Sequence, residues 1–154
     1  RQGLQEQWGV PEDEARLLAR ISGGRPGYAL RLHREPDLRQ QRLDWLEQHT
    51  QLLAQGRVER FAYVDALSKD RDALRGALNV WLSFWRDVLL KTSGAEAPPT
   101  NLDRRAEIDA LAGQLDLQSA RKMVAALERA LALLDRYANA RLLSEVLMLD
   151  LPRI

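Results

Sequence analysis

From Asp72 to Thr92 the chain runs without proline and with one glycine, Gly76. Leu74, Leu78, Trp81, Trp85 and Val88 fall at alternating steps of four and three. That spacing places all five on one stripe of a helix. Leu82 and Leu89 form a flanking stripe, so the apolar face is broad. Asn79, Ser83, Arg86 and Asp87 are the polar remainder of the central stretch Asn79–Leu90. A helix this apolar must be enclosed by others, and the rest of the chain supplies them.

Val10-Pro11-Glu12-Asp13-Glu14 starts a helix, with proline in the first turn and acids near the positive end of its dipole. Ala15, Leu17, Leu18 and Ile21 give its apolar side, and Ser22-Gly23-Gly24 stops it. Pro26 opens a second short helix with Tyr28, Ala29, Leu30 and Leu32, which Glu35-Pro36 ends. A domain boundary is expected here. Asp37 is placed to cap a long helix to about Gln55, with Leu38, Trp45, Leu46, His49, Leu52 and Leu53 inward. Arg57–Ser68 reads as a shorter helix with Val58, Phe61 and Ala62 inward, and Lys69–Asp72 as a polar turn. Ser93–Asn101 is the longest loop, with a proline pair and no periodicity. Asn101 or Asp103 then caps a helix carrying Ile108, Leu111, Ala112 and Leu115. Another begins near Ser119, with Met123, Leu127, Ala130, Leu131 and Leu134 inward. After a break at Ala138–Ala140 comes a last helix, Arg141–Leu149, with Leu142, Leu143, Val146 and Leu147 inward, ended by Pro152. No stretch alternates with period two. The expectation is an all-α chain: two short helices in residues 1–35, too few for a core, and a helical bundle in 36–154.

Composition agrees. The 154 residues are 45% hydrophobic and 29% charged, which is globular rather than disordered. Leu, Ala and Arg dominate, favouring helix. A net charge of +1 gives no general attraction to nucleic acid or membrane. Without cysteine there is no disulfide and no thiolate zinc site. No apolar run approaches the ~20 residues needed to cross a bilayer. The chain opens on Arg1, so a piece of a longer protein is expected.

Local motifs for chemistry are sparse. There is no GxxxxGK[ST], HExxH or GxSxG pattern. The two histidines, His33 and His49, fall on separate helices; His33 reads as a surface residue and His49 as partly buried. Gly23-Gly24-Arg25-Pro26-Gly27 is either an anion-binding loop at a helix start or, more simply, a helix–helix turn. Arg104-Arg105 and Arg121-Lys122 are the candidate basic pairs for nucleic acid, but interspersed acids argue against a basic stripe. The Trp81/Trp85 stripe is core, a subunit interface or the lining of a groove.

Four blocks together resemble a known family. Leu17–Leu32, LLARISGGRPGYALRL, resembles the lid-domain helix pair of bacterial DNA polymerase III clamp-loader subunits, especially the delta-prime type. Leu18-Ala19, Ser22-Gly23-Gly24, Pro26-Gly27 and Ala29-Leu30 carry the match. Trp81–Gly94 resembles the family's central collar helix, and Asn101–Ala112 and Asn139–Pro152 resemble the segments that follow. All four stand in the family's order, although Asn139-Ala140-Arg141 departs from the usual Asn-Pro-Arg.

The resemblance implies that residues 1–35 are the end of an AAA+ helical lid and 36–154 a collar domain. Five collars form the ring of a loader that closes a sliding clamp around primed DNA in the bacterial cytoplasm. The expected partners are gamma/tau and delta subunits through the collar, with clamp and DNA met only through the whole complex, and no membrane. This part of the chain is expected to hold no cofactor and no catalytic residue, ATP being bound by partner subunits. In gamma/tau subunits the lid carries a sensor arginine. Aligning on Ala29-Leu30 puts Gly27 at that position and Tyr28 at the following acid, so Gly24, Arg25, Pro26, Gly27 and Tyr28 form a degenerate sensor region. Ser83, Arg86, Asp87 and Arg141 are expected to meet a neighbouring collar. Two alternatives stay open: a gamma/tau-type ATPase subunit using Arg25, and an unrelated helical adaptor holding a partner helix beside Trp81 and Trp85.

Overall fold

The computed structural model describes residues 36–154, and every described element is helical. The two short helices expected before Pro36, the lid assignment and the region Gly24–Tyr28 lie outside the described residues. Six α-helices follow in order: α1 (Pro36–Ala54), α2 (Arg57–Leu67), α3 (Arg71–Thr92), α4 (Arg105–Gln114), α5 (Leu117–Asp135) and α6 (Ala140–Asp150). A short 3-10 turn, Leu102–Arg104, leads into α4.

The central helix is α3, which packs against α1, α2, α4 and α5, while α6 closes the bundle against α2 and α5. Its start is fixed by Asp70, whose carboxylate accepts from the amides of Asp72 and Ala73. The expected stripe of Leu74, Leu78, Trp81, Trp85 and Val88 is wholly buried, and Ala77, Leu82 and Phe84 widen it. Gly76 is required by contact rather than by backbone angle. A Cβ there would lie 2.5 Å from the indole of Trp45, so α1 lays its tryptophan directly on the α3 backbone.

Helix ends account for several polar residues. Asp116 caps α5 through the amide of Ser119, and Asn139 caps α6 through that of Leu142. Both α3 and α5 end with a left-handed residue, Gly94 (φ 85°) and Tyr137 (φ 59°). The amides of Ala95 and Ala138 reach back to the carbonyls of Leu90 and Leu133, giving two Schellman endings. At the second, where no glycine is present, Arg71 donates to the carbonyls of Leu134 and Ala138 and lies 5.6 Å from the centre of the Tyr137 ring.

Four expectations are corrected. Asp37 lies inside the first turn of α1 rather than capping it. In α2 the inward residues are Arg60 and Val64, while Val58 is 80% exposed and Ala62 also faces out. Arg60 is drawn in because all five guanidinium N–H groups find carbonyls. Nε donates to Leu52, Nη1 to Met148 and Leu151, and Nη2 to Leu53 and Pro152. These are the orphan acceptors at the C-terminal ends of α1 and α6, where helix dipoles favour a cation. Asn101 and Asp103 cap nothing with their side chains, being committed to contacts described below. In α6, Leu143 and Leu147 are buried as expected, but Leu142 and Val146 face outward.

Candidate functional site

The expected partner-binding residues do not share one surface. Asp87 is buried on α3, and its carboxylate is filled from within the chain. Oδ1 accepts the amide of Thr100 at 2.8 Å; Oδ2 accepts the amide of Asn101 at 2.9 Å and its Nδ2 at 2.8 Å. Ser83 accepts from the same Nδ2 at 3.1 Å. The Asn101 Oδ1 in turn accepts from Arg42 on α1, which also holds Asp103 through two bonds of 2.8 and 2.9 Å. This network pins the end of the 93–101 loop between α1 and α3. Burial alone would raise the Asp103 pKa; the bonds and charge of Arg42 overcome it and hold the carboxyl below its usual range. Asp87 and Ser83 are therefore held by bonds within the chain, which tie the 93–101 loop to α3.

Arg86 and Arg141 do face solvent. Arg86 pairs with Glu128 of α5 at 3.5 Å, and Arg141 with Asp65 of α2 at 3.3 Å and with Glu145 at 3.8 Å. Arg104, one of the basic pair before α4, is occupied by Glu107 and Glu47.

Neither Trp81 nor Trp85 is open to the surface. Trp81 and Trp85 are buried, with the Trp81 indole donating to the Trp45 carbonyl at 2.9 Å. His49, expected to be partly buried, is enclosed among Trp81, Phe84 and Trp85, with ring centres 4.9 to 6.0 Å away. An adaptor that held its partner against this pair would have to open the core. Among the described residues no group of three or more metal-ligating side chains is assembled. None of the described helices is long and apolar enough to cross a membrane.

What does open to the surface is a groove of about 220 Å³ between α5 and α6. Ala126 and Ala130 form its floor; Leu133, Leu142 and Val146 rise as walls; Arg129 and Asp150 stand on opposite sides. Leu133 is 39% exposed, Leu142 60%, Val146 52% and the adjoining Leu149 57%. Leu142, Val146 and Leu149 form a second stripe on α6, beside the buried stripe of Leu143 and Leu147. The sequence carries the signal for it. An 11-residue helix with apolar residues at 142, 143, 146, 147 and 149 has more apolar surface than one buried stripe needs. The groove is shaped to accept apolar groups. The chain matches no family model, no curated protein and no solved structure.

Proposed function

We propose that this chain is a clamp-loader subunit of the delta-prime type, with residues 36–154 acting as its collar. The observation that carries the assembly role is the apolar stripe Leu142–Val146–Leu149, left uncovered by the other described helices and continuous with the α5–α6 groove. Support for the particular family comes from the four ordered sequence blocks, Leu17–Leu32, Trp81–Gly94, Asn101–Ala112 and Asn139–Pro152.

In this reading the work of the domain is positional. A bundle tied by the Arg60 and Asp87 networks transmits the placement of the ring to the preceding lid and ATPase-like domain. Partner subunits bind ATP, the complex loads the clamp on primed DNA, and the setting is the bacterial cytoplasm. The test is assembly. Mixing the full chain with gamma/tau and delta subunits should give a complex whose mass, by light scattering, exceeds that of either component. No change in mass up to the solubility limit would sink the reading.

A further inference from the structure

Two helices of the bundle are held differently from the other four. Side chains tie α1, α3, α4 and α5 to one another at several points. The indoles of Trp81 and Trp85 on α3 donate to the Trp45 carbonyl and to His49, both on α1. Thr50 of α1 donates to Glu107 of α4. Arg71 and Arg75, at the start of α3, bind the Leu134 carbonyl and the Asp135 carboxylate at the end of α5.

Among the described residues, by contrast, no side-chain hydrogen bond or ion pair joins α2 to α3 or α5 to α6. Arg60 and Val64 are the buried residues of α2, which packs chiefly on α6 and meets α3 through the Tyr63 and Trp81 rings, 6.3 Å apart. The α5–α6 seam, lined by Ala126 and Ala130 on one side and Leu143 and Leu147 on the other, leaves about 220 Å³ open. A seam with open volume forgoes part of the dispersion attraction that a filled one gains. Between themselves α2 and α6 are bonded. Arg141 of α6 pairs with Asp65 of α2 at 3.3 Å, and Arg60 donates to the carbonyls of Met148, Leu151 and Pro152.

The pair is fastened to the other four helices by hydrogen bonds at one place, the last turn of α1. Arg60 Nε donates to the Leu52 carbonyl at 2.8 Å and Nη2 to that of Leu53 at 3.4 Å, where the Ile154 amide also donates at 2.8 Å. The connections can turn without unmaking a helix end. Gly56 enters α2 with no side-chain cap, while Asp70 and Asn139 cap α3 and α6 from the other two turns.

We infer that α2 and α6, with the segment to Ile154, form a clasp that opens as one unit from a frame of α1, α3, α4 and α5, and that Arg60 is its latch. Opening breaks the Arg60 bonds to Leu52 and Leu53, keeps those to Met148, Leu151 and Pro152, and bares the α5 face around Ala126 and Ala130. The clasp belongs to the single chain and stands or falls independently of the clamp-loader reading.

The chain has no cysteine, so single thiols report opening in the full chain. Val64→Cys on α2, Ser144→Cys on α6 and Val88→Cys on α3 each place a thiol of similar size at a buried position. The probe is a soluble aromatic disulfide, with each rate divided by that of the same thiol in urea. Val64→Cys and Ser144→Cys should label at matching rates, about tenfold or more faster than Val88→Cys. Arg60→Lys should raise the first two rates together. Asp87→Asn, which loosens only the frame, should raise the Val88→Cys rate and leave the other two unchanged. Rates for α2 and α6 that differ by more than about threefold would overturn the shared opening. Three equal rates, or an Asp87→Asn effect on all three, would show one cooperative bundle and no clasp. Amide exchange of the unsubstituted chain reads the same opening without any cysteine. Amides of α2 and α6 should share one opening free energy below that of α3, and a common value for all three helices would equally overturn the proposal.

Discussion

The indole Nε1–H of Trp85 donates to Nε2 of His49 over 2.7 Å, deep in the bundle between α3 and α1. An imidazole nitrogen that accepts a hydrogen bond carries no proton, so His49 is neutral with its proton on Nδ1. Burial, and secondarily the charge of Arg60, push its pKa from 6.5 down to about 3.

This relationship fixes how stability depends on acid. In the unfolded chain His49 regains an ordinary pKa near 6.5 and takes up a proton that the folded state refuses. The stabilisation is fully present above pH 6.5 and is lost as pH falls toward 3. Between pH 6 and pH 5, before carboxylates such as Asp103 contribute, the unfolding free energy should drop by about 1 kcal/mol per pH unit from this residue. Urea melts at several pH values measure the slope. His49→Gln should cost stability at pH 8 yet flatten the dependence in this window; an unchanged slope in that variant would refute the assignment.

Arg60 joins the ends of two helices that are far apart in sequence. Its guanidinium bonds Leu52 and Leu53 on one side and Met148, Leu151 and Pro152 on the other. Arg60→Leu should lower the unfolding free energy by about 3 kcal/mol, because several buried carbonyls lose their donors. Arg60→Lys should recover little of it, since three donors at one point cannot serve two helix ends. Hydrogen exchange gives a second readout. The Ile154 amide, bonded to Leu53 at 2.8 Å, should lose protection in both variants before the α3 amides do. A lysine variant as stable as the parent would remove Arg60 from this role.

Gly76 and Trp45 should be energetically coupled. Gly76→Ala on an exposed helix would stabilise by up to about 1 kcal/mol. Here the new methyl meets the indole at 2.5 Å, and the ring must move while the Trp45 carbonyl stays bonded to Trp81. The single variant should therefore be destabilised by about 1–2 kcal/mol. In a Trp45→Leu background the same change should become neutral or favourable. A double-mutant cycle by chemical denaturation measures the coupling, and additive effects would count against a direct clash.

The sequence made the α3 stripe legible because its apolar side chains sit at one period with nothing polar interposed. Its limits follow from the same logic. In α2 the inward position is held by an arginine, whereas apolar spacing alone points to Val58. Arg60 belongs inside only because residues 52, 53, 148, 151 and 152 bring carbonyls to it, an arrangement that spacing along one helix cannot reveal. Asp87 has the same character: a charged residue on the polar side of α3 until a loop 13 residues later supplies its donors. In α6 the apolar residues fall on two stripes, and a short helix at the edge of a bundle buries only one of them. Thus, over the described residues, the helix count, their order and the central core are readable from the sequence, while both polar networks and the exposed groove depend on tertiary placement.

Asp87 gives the sharpest separation between a docking role and an internal one. Its two oxygens accept three N–H donors, from Thr100, from the Asn101 backbone and from the Asn101 side chain. Asp87→Asn keeps the shape but places an NH₂ group against at least one of those donors, whichever way the amide is turned. The variant should lose about 1–3 kcal/mol of stability, and the amides of Thr100 and Asn101 should exchange faster. Arg86→Ala, one position earlier and exposed, removes only a 3.5 Å surface ion pair with Glu128 and should change stability by less than about 1 kcal/mol. A docking residue would behave oppositely, leaving the melt untouched while weakening assembly. If Asp87→Asn melts with the parent and yet fails to join the partners proposed above, the internal role is wrong and the carboxylate belongs to an interface.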